Sequence, residues 1–122
     1  MPGPAPAKVN LEEKFALFSD HWAPRLAARY NGNEVRLAKI EGEFHWHSHD
    51  NTDELFLVIE GELDIEFEDR NVSLSPGEMI VVPKGMPHRP CARSGEVKLF
   101  VMDADGTPNT GDTDTAFNPI EV

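Results

Sequence analysis

The sequence predicts an all-β fold, a sandwich or barrel of short strands with one short helix in front of it. Three observations carry that expectation. Leu63, Ile65 and Phe67 alternate with Glu62, Asp64, Glu66 and Glu68, the pattern of a strand with one wet face. Leu55 to Glu60 is a short apolar run of the kind that fills a core. Gly61, Ser75-Pro76-Gly77 and Pro83-Lys84-Gly85-Met86-Pro87 break the chain at close intervals, as the turns of a many-stranded β domain do.

Residues 1–9, rich in Pro and Ala, read as a flexible arm. Asn10 caps a helix expected over 10–22, with Glu13 completing a capping-box-like pair. Leu11, Phe15, Phe18 and Trp22 fall on one helical face, which must bury against the outside of the β domain or against a second copy. Pro24 stops the helix, and His21, off the stripe, reads as a surface histidine. Strands are expected at 35–40, 44–49 beyond an interruption at Gly42, 55–60, 62–68, 72–74, 79–82 and 97–102. Gly61-Glu62 reads as a hairpin turn. One domain, 10–122, accounts for all of this, with its barrel at 33–103. The tail 104–122 is polar and covers a surface without a core of its own.

At 122 residues the chain can bury one core. Its single cysteine, Cys91, excludes an intrachain disulfide framework and fits a reducing compartment. No basic-then-apolar leader opens the sequence, and no apolar run nears the ~20 residues that span a bilayer. The expectation is a cytoplasmic protein with no membrane partner. A net charge of −11 and the lack of a basic stripe argue against nucleic acid. Between Glu41 and Asp69 lie eleven carboxylates and no Lys or Arg, read as a solvated outer face. Only Glu54 among them sits where chemistry demands an acid.

His47-Ser48-His49 places two imidazoles on one face of a strand, roughly 6.5–7 Å apart at their Cα atoms. Two rings at that spacing can converge on one ion at about 2.0–2.2 Å. Glu54 opens the next strand, and His88 follows a Pro-x-Gly turn that can return it to the same point. Three nitrogens and one anionic oxygen suit a divalent Fe, Mn, Co, Ni, Cu or Zn better than calcium or magnesium. Paired histidines alone also arise by chance on exposed strands. The order of the whole set is more specific. His47-x-His49, four residues, Glu54, six residues, Gly61 is followed by Gly77, five residues, Pro83-x-Gly85, two residues, His88.

That order resembles the two motifs of the cupin superfamily, G-x5-HxH-x3/4-E-x6-G and G-x5-PxG-x2-H-x3-N. Two positions depart from it: Gly42 lies one residue too near His47, and Ala92 replaces the closing Asn. Further likeness at 10–22 and 106–112 is to small single-domain prokaryotic cupins, often described as mannose-6-phosphate isomerase-like on fold alone. The resemblance implies a double-stranded β-helix, or jelly-roll barrel, with His47, His49, Glu54 and His88 as metal ligands. Pairing into homodimers is also implied.

His45 shares strand parity with His47 and His49 and is expected to point inward. It is a candidate catalytic acid or base; a fifth ligand and a hydrogen-bonded interior histidine are the other readings. Phe44 and Trp46, of opposite parity, are expected outside. Phe56 and Val58 share the parity of Glu54 and should wall the site. Cys91 reads as a packed thiol. Two functions follow. The first is a metalloenzyme acting on a small oxygen-bearing molecule, for which the resemblance to cupins implies dioxygenase, decarboxylase, lyase or isomerase chemistry. The second is a non-catalytic small-molecule or metal sensor. Retention of all four ligands argues against a storage-type cupin.

Overall fold

The computed structural model describes residues 5–108 and 120–122; most of the expected tail and the start of the arm lie outside them. The elements are α1 (Leu11–Phe15), β1 (Arg25–Tyr30), β2 (Asn33–Glu43), β3 (Glu54–Glu60), β4 (Leu63–Phe67), β5 (Asn71–Leu74), β6 (Met79–Val82), β7 (His88–Ala104) and β8 (Ile120–Glu121). Among the described residues no helix is long and apolar enough to cross a membrane.

The expected cap is present: Asn10 Oδ1 accepts from the Glu13 N–H at 2.9 Å. The helix is far shorter than 10–22, however, and ends at Phe15. Phe15 and Phe18 bury against Leu37 on the outer face of β2, and the chain behind them is tied down by charge. Lys39 Nζ donates to the Phe18 carbonyl at 2.5 Å, and the Arg25 guanidinium pairs with Asp20 at 2.7 Å. Trp22 leaves the stripe altogether. Its φ is +61°, its N–H donates to the Lys39 carbonyl at 2.9 Å, and its ring joins the core cluster of the sandwich. The aromatic face expected to need a partner is therefore covered within one chain.

β7 organises the rest. This strand of 17 residues pairs with β2 along one side; on the other its first half pairs with β4 and its second with β3. Between Gly42↔Ala92 and Ile40↔Val97 one residue of β2 faces four of β7, a bulge that bends the long strand between the two sets of partners. β3 pairs with β6 and β4 with β5, so β3 and β4 are not a hairpin. Gly61 instead carries the chain across from one layer to the other. A Cβ there would lie 2.7 Å from the Glu96 carbonyl oxygen, and φ is +93°, which side chains avoid. Among the described residues the ladder does not close on itself. The fold is a jelly roll whose layers share β7 and hold Phe56, Val58, Leu63, Ile65, Val97 and Leu99 between them. β1 had no counterpart in the expected strands.

Candidate metal centre

The inner surface of this sandwich is set by strand parity. On β2 the inward row is Arg36, Ala38 and Ile40; on β7 it is Leu99, Val101 and Asp103; on β3 it is Glu54, Phe56 and Val58. Past Glu43 the regular pairing stops, and three backbone hydrogen bonds hold the chain against β7. The Phe44 N–H donates to the Pro90 carbonyl, and His47 and His88 exchange backbone bonds at 3.0 and 2.9 Å. Three steps from Phe44 to His47 thus match two from Pro90 to His88. The extra residue reverses the parity that a continuous strand would have.

That reversal corrects two expectations. Phe44 does not pack outside; it lines the cavity and stacks on Trp22, with centroids 4.7 Å apart. His45 does not point inward but is exposed, its ring 4.3 Å from Phe44 and 5.4 Å from His47 by centroids. Trp46 is outside, as expected, under the Arg89 guanidinium. His21 is a surface residue 2.7 Å from Glu96, and Cys91 is a buried thiol whose pKa burial raises.

His47, His49, Glu54 and His88 come together, each offering one donor atom, all within 4.8 Å of one another. Two ligands bound to one ion at about 2.0–2.2 Å can be at most about 4.4 Å apart, so these four side chains would hold a metal after modest shifts. The Pro83–Gly85 turn makes the meeting possible. The Gly85 N–H donates to the His49 carbonyl at 2.7 Å, which ties the two motifs together. Two backbone carbonyls then set the tautomers. His47 Nδ1 lies 3.0 Å from the His45 carbonyl and His88 Nδ1 2.9 Å from that of Met86, leaving each Nε2 lone pair for a ligand role. Glu54 Oε1 is 3.1 Å from His88 Nε2, and Glu54 Oε2 is 3.3 Å from His49 Nε2.

Electrostatics agree with a cation at this point. Both ring nitrogens of His49 are buried without a formed hydrogen bond, Nε2 having only the 3.3 Å approach of Glu54 Oε2, an arrangement a protein core avoids unless something else occupies the nitrogen. Burial lowers the His47 pKa to about 4, with the His45 carbonyl opposing, so its imidazole is neutral at pH 7. Burial pushes the Glu54 carboxyl up, but its contacts with His49 and His88 outweigh that and hold it below the usual carboxylate range. The donor set is neutral nitrogen and anionic oxygen, which fits a first-row metal ion.

Beside the cluster opens a cavity of about 60 Å³ with mostly apolar walls, among them Trp22, Phe44, Phe56 and Leu99. That is room for roughly four to six waters at about 10–15 Å³ each, or for a molecule of a few heavy atoms. Phe56 walls the site as expected, its ring 6.0 Å from that of His88, whereas Val58 is buried in the core and is not part of the cavity wall. Trp22, Arg36 and Asp103 also line the cavity and were not foreseen. The only signal for Arg36 is its shared parity with Ala38 and Ile40; Asp103 stands at the last position of the expected barrel, against the polar tail, and reads as solvated.

The family model of the cupin domain matches residues 33–104. The uncharacterised protein YdbB of Bacillus subtilis strain 168 is 41% identical over 93 residues, covering 75% of this chain and 76% of its own length. The crystal structure of a cupin-2 domain-containing protein from Shewanella frigidimarina is 47% identical over 79% of this chain and 93% of that one, with a TM-score of 0.77. Protein NMB1881 from Neisseria meningitidis, 28% identical over 81% of this chain and 100% of its own, superposes with a TM-score of 0.73. With the jelly roll, the two motifs and the match across β2 to β7 in agreement, the chain belongs to the cupin family.

Proposed function

We propose that this protein is a metal-dependent enzyme that binds one divalent first-row ion through His47, His49, Glu54 and His88. Its substrate is a small oxygen-bearing molecule, and its chemistry is of the dioxygenase, decarboxylase, lyase or isomerase type. One observation carries the reading: four donors converge, and two of them, His47 and Glu54, line a small apolar cavity, so a guest there meets the site. When bound, the ion supplies a Lewis-acid or redox centre to a guest oxygen. The chain does the rest. Phe44, Phe56 and Trp22 exclude water, which strengthens every charge interaction inside. His45, exposed and beside His47, is assigned to relaying protons between solvent and the site, in place of the interior base expected from its parity.

Metal analysis of untagged protein tests the first half. One ion per chain is expected, and His49→Ala should lose it while the strands still fold. A fully loaded His49→Ala variant would refute the ligand set. Screening small ketones, diols and phenols for turnover tests the second half. Given a substrate, His45→Val should keep the metal and slow turnover by roughly 10²–10⁴-fold. A guest that stabilises the protein without turnover would make it a binding module. We further propose that it works in the cytoplasm as a homodimer.

A further inference from the structure

The row of inward residues does not end in apolar side chains. Glu34, Arg36 and Asp103 are each less than a tenth exposed, and Arg36 is the largest of the fully buried side chains among the described residues. Most of its guanidinium is committed. Nε and Nη2 donate to Glu34 Oε1 at 3.0 and 2.6 Å, and Nη2 donates also to the Thr107 carbonyl at 2.7 Å. Nη1 is not: it has no hydrogen-bond partner and stands 3.8 Å from Asp103 Oδ2, too far for one. Asp103 Oδ1 is likewise buried and without a partner. A purely structural Arg–Asp pair would close that gap. Instead an open donor and an open acceptor lie side by side on residues that line the same cavity as His47 and Glu54.

From this pair, and resting on the metal-site reading above, we propose that Arg36 and Asp103 bind a hydroxyl group of the guest. A hydroxyl oxygen accepts from Arg36 Nη1 while its O–H donates to Asp103 Oδ1, which completes both valences. A carboxylate fits less well, because it would face the Glu34 and Glu54 carboxylates with the one guanidinium already paired to Glu34. Asp103 and Glu54 line the same small cavity, so one guest of a few heavy atoms reaches both the hydroxyl pole and the metal pole. A guest bridging them carries its two oxygens on neighbouring carbons. The substrate class is therefore a small, neutral α-hydroxycarbonyl or vicinal diol, a size that the cavity admits.

The test uses the full-length, metal-loaded protein and three probes: hydroxyacetone, acetone, which lacks the hydroxyl, and pyruvate, which replaces it with a carboxylate. Titration calorimetry should rank hydroxyacetone at least ~tenfold tighter than either, since a site built for a hydroxyl rejects the analogue without it. Arg36→Lys keeps a cation for Glu34 but withdraws the second donor. It should erase that preference while metal content stays at the wild-type value. Hydroxyacetone binding no tighter than acetone, pyruvate binding tightest, or a preference that survives Arg36→Lys would each overturn the proposal. Should Arg36→Lys fail to fold, a crystal of the wild-type hydroxyacetone complex decides: a hydroxyl beyond 3.5 Å from Arg36 Nη1 overturns it. Wild-type protein that takes up no metal would instead defeat the metal-site reading.

Discussion

His47 and Asp103 depart from their ordinary titration in opposite directions, and their effects on stability have opposite signs. Unfolded, His47 takes a proton near pH 6.5; folded, it resists until about pH 4 because it is buried. The unfolded chain therefore binds more protons between those values, and acidification through that window destabilises the metal-free fold. Asp103 is pushed up to about 9, first by burial and then by the Glu54 charge, so the folded state holds the extra proton. Its contribution is present below pH 3.8 and is lost as pH rises towards 9. Imidazole NMR of the metal-free protein should find His47 titrating near pH 4. Urea unfolding should show stability falling on the alkaline side, with a flatter slope in Asp103→Asn. The ligand histidines were legible in sequence because their spacing combines strand period with fixed turn chemistry. Asp103 and Arg36 were not. At strand ends a charged residue reads as solvated, and only the neighbouring strands reveal that its face is the inner one.

Among elements, the strands with clear period-two alternation, β4 above all, were visible in advance. β1 was not, because Arg25–Tyr30 carries no clean alternation of its own. The helix was overread because Leu11, Phe15, Phe18 and Trp22 happen to share a 3.6-residue spacing. Tertiary contacts from Lys39 and Arg25 stop it at Phe15. Gly61 was noticed as a turn but misassigned to a hairpin, since local sequence does not say which strand the next one joins. Its true role makes a sharp prediction. Gly61→Ala would press a methyl against the Glu96 carbonyl in a left-handed conformation and should cost roughly 2–4 kcal/mol. Gly77→Ala, also left-handed but with nothing within 4 Å, should cost only about 1 kcal/mol. Paired urea titrations distinguish them, and equal losses would remove the close approach as the cause.

At the scale of the whole molecule, the surface on which the proposed dimer would rest is not the helical face. The Phe15–Phe18 face is already covered, while among the described residues β6 pairs only with β3 and exposes Met79 and Val81. An open edge with apolar side chains is a surface that a second copy can cover. Two chains of net charge −11 repel each other, and salt screens that repulsion. Light scattering should therefore find a dimer whose dissociation weakens as ionic strength rises; a monomer mass in high salt would refute the pairing. A last consequence belongs to Trp22. Two backbone carbonyls clamp its N–H and its indole Nε1, and the ring forms part of the wall beside the four donors. The other tryptophan, Trp46, lies on the outside. In a Trp46→Phe protein all indole emission would come from the cavity wall. Filling the site with an open-shell ion such as Co or Cu should then dim the emission, and a closed-shell ion such as Zn should leave it bright. The fold thus carries its own optical gauge of occupancy.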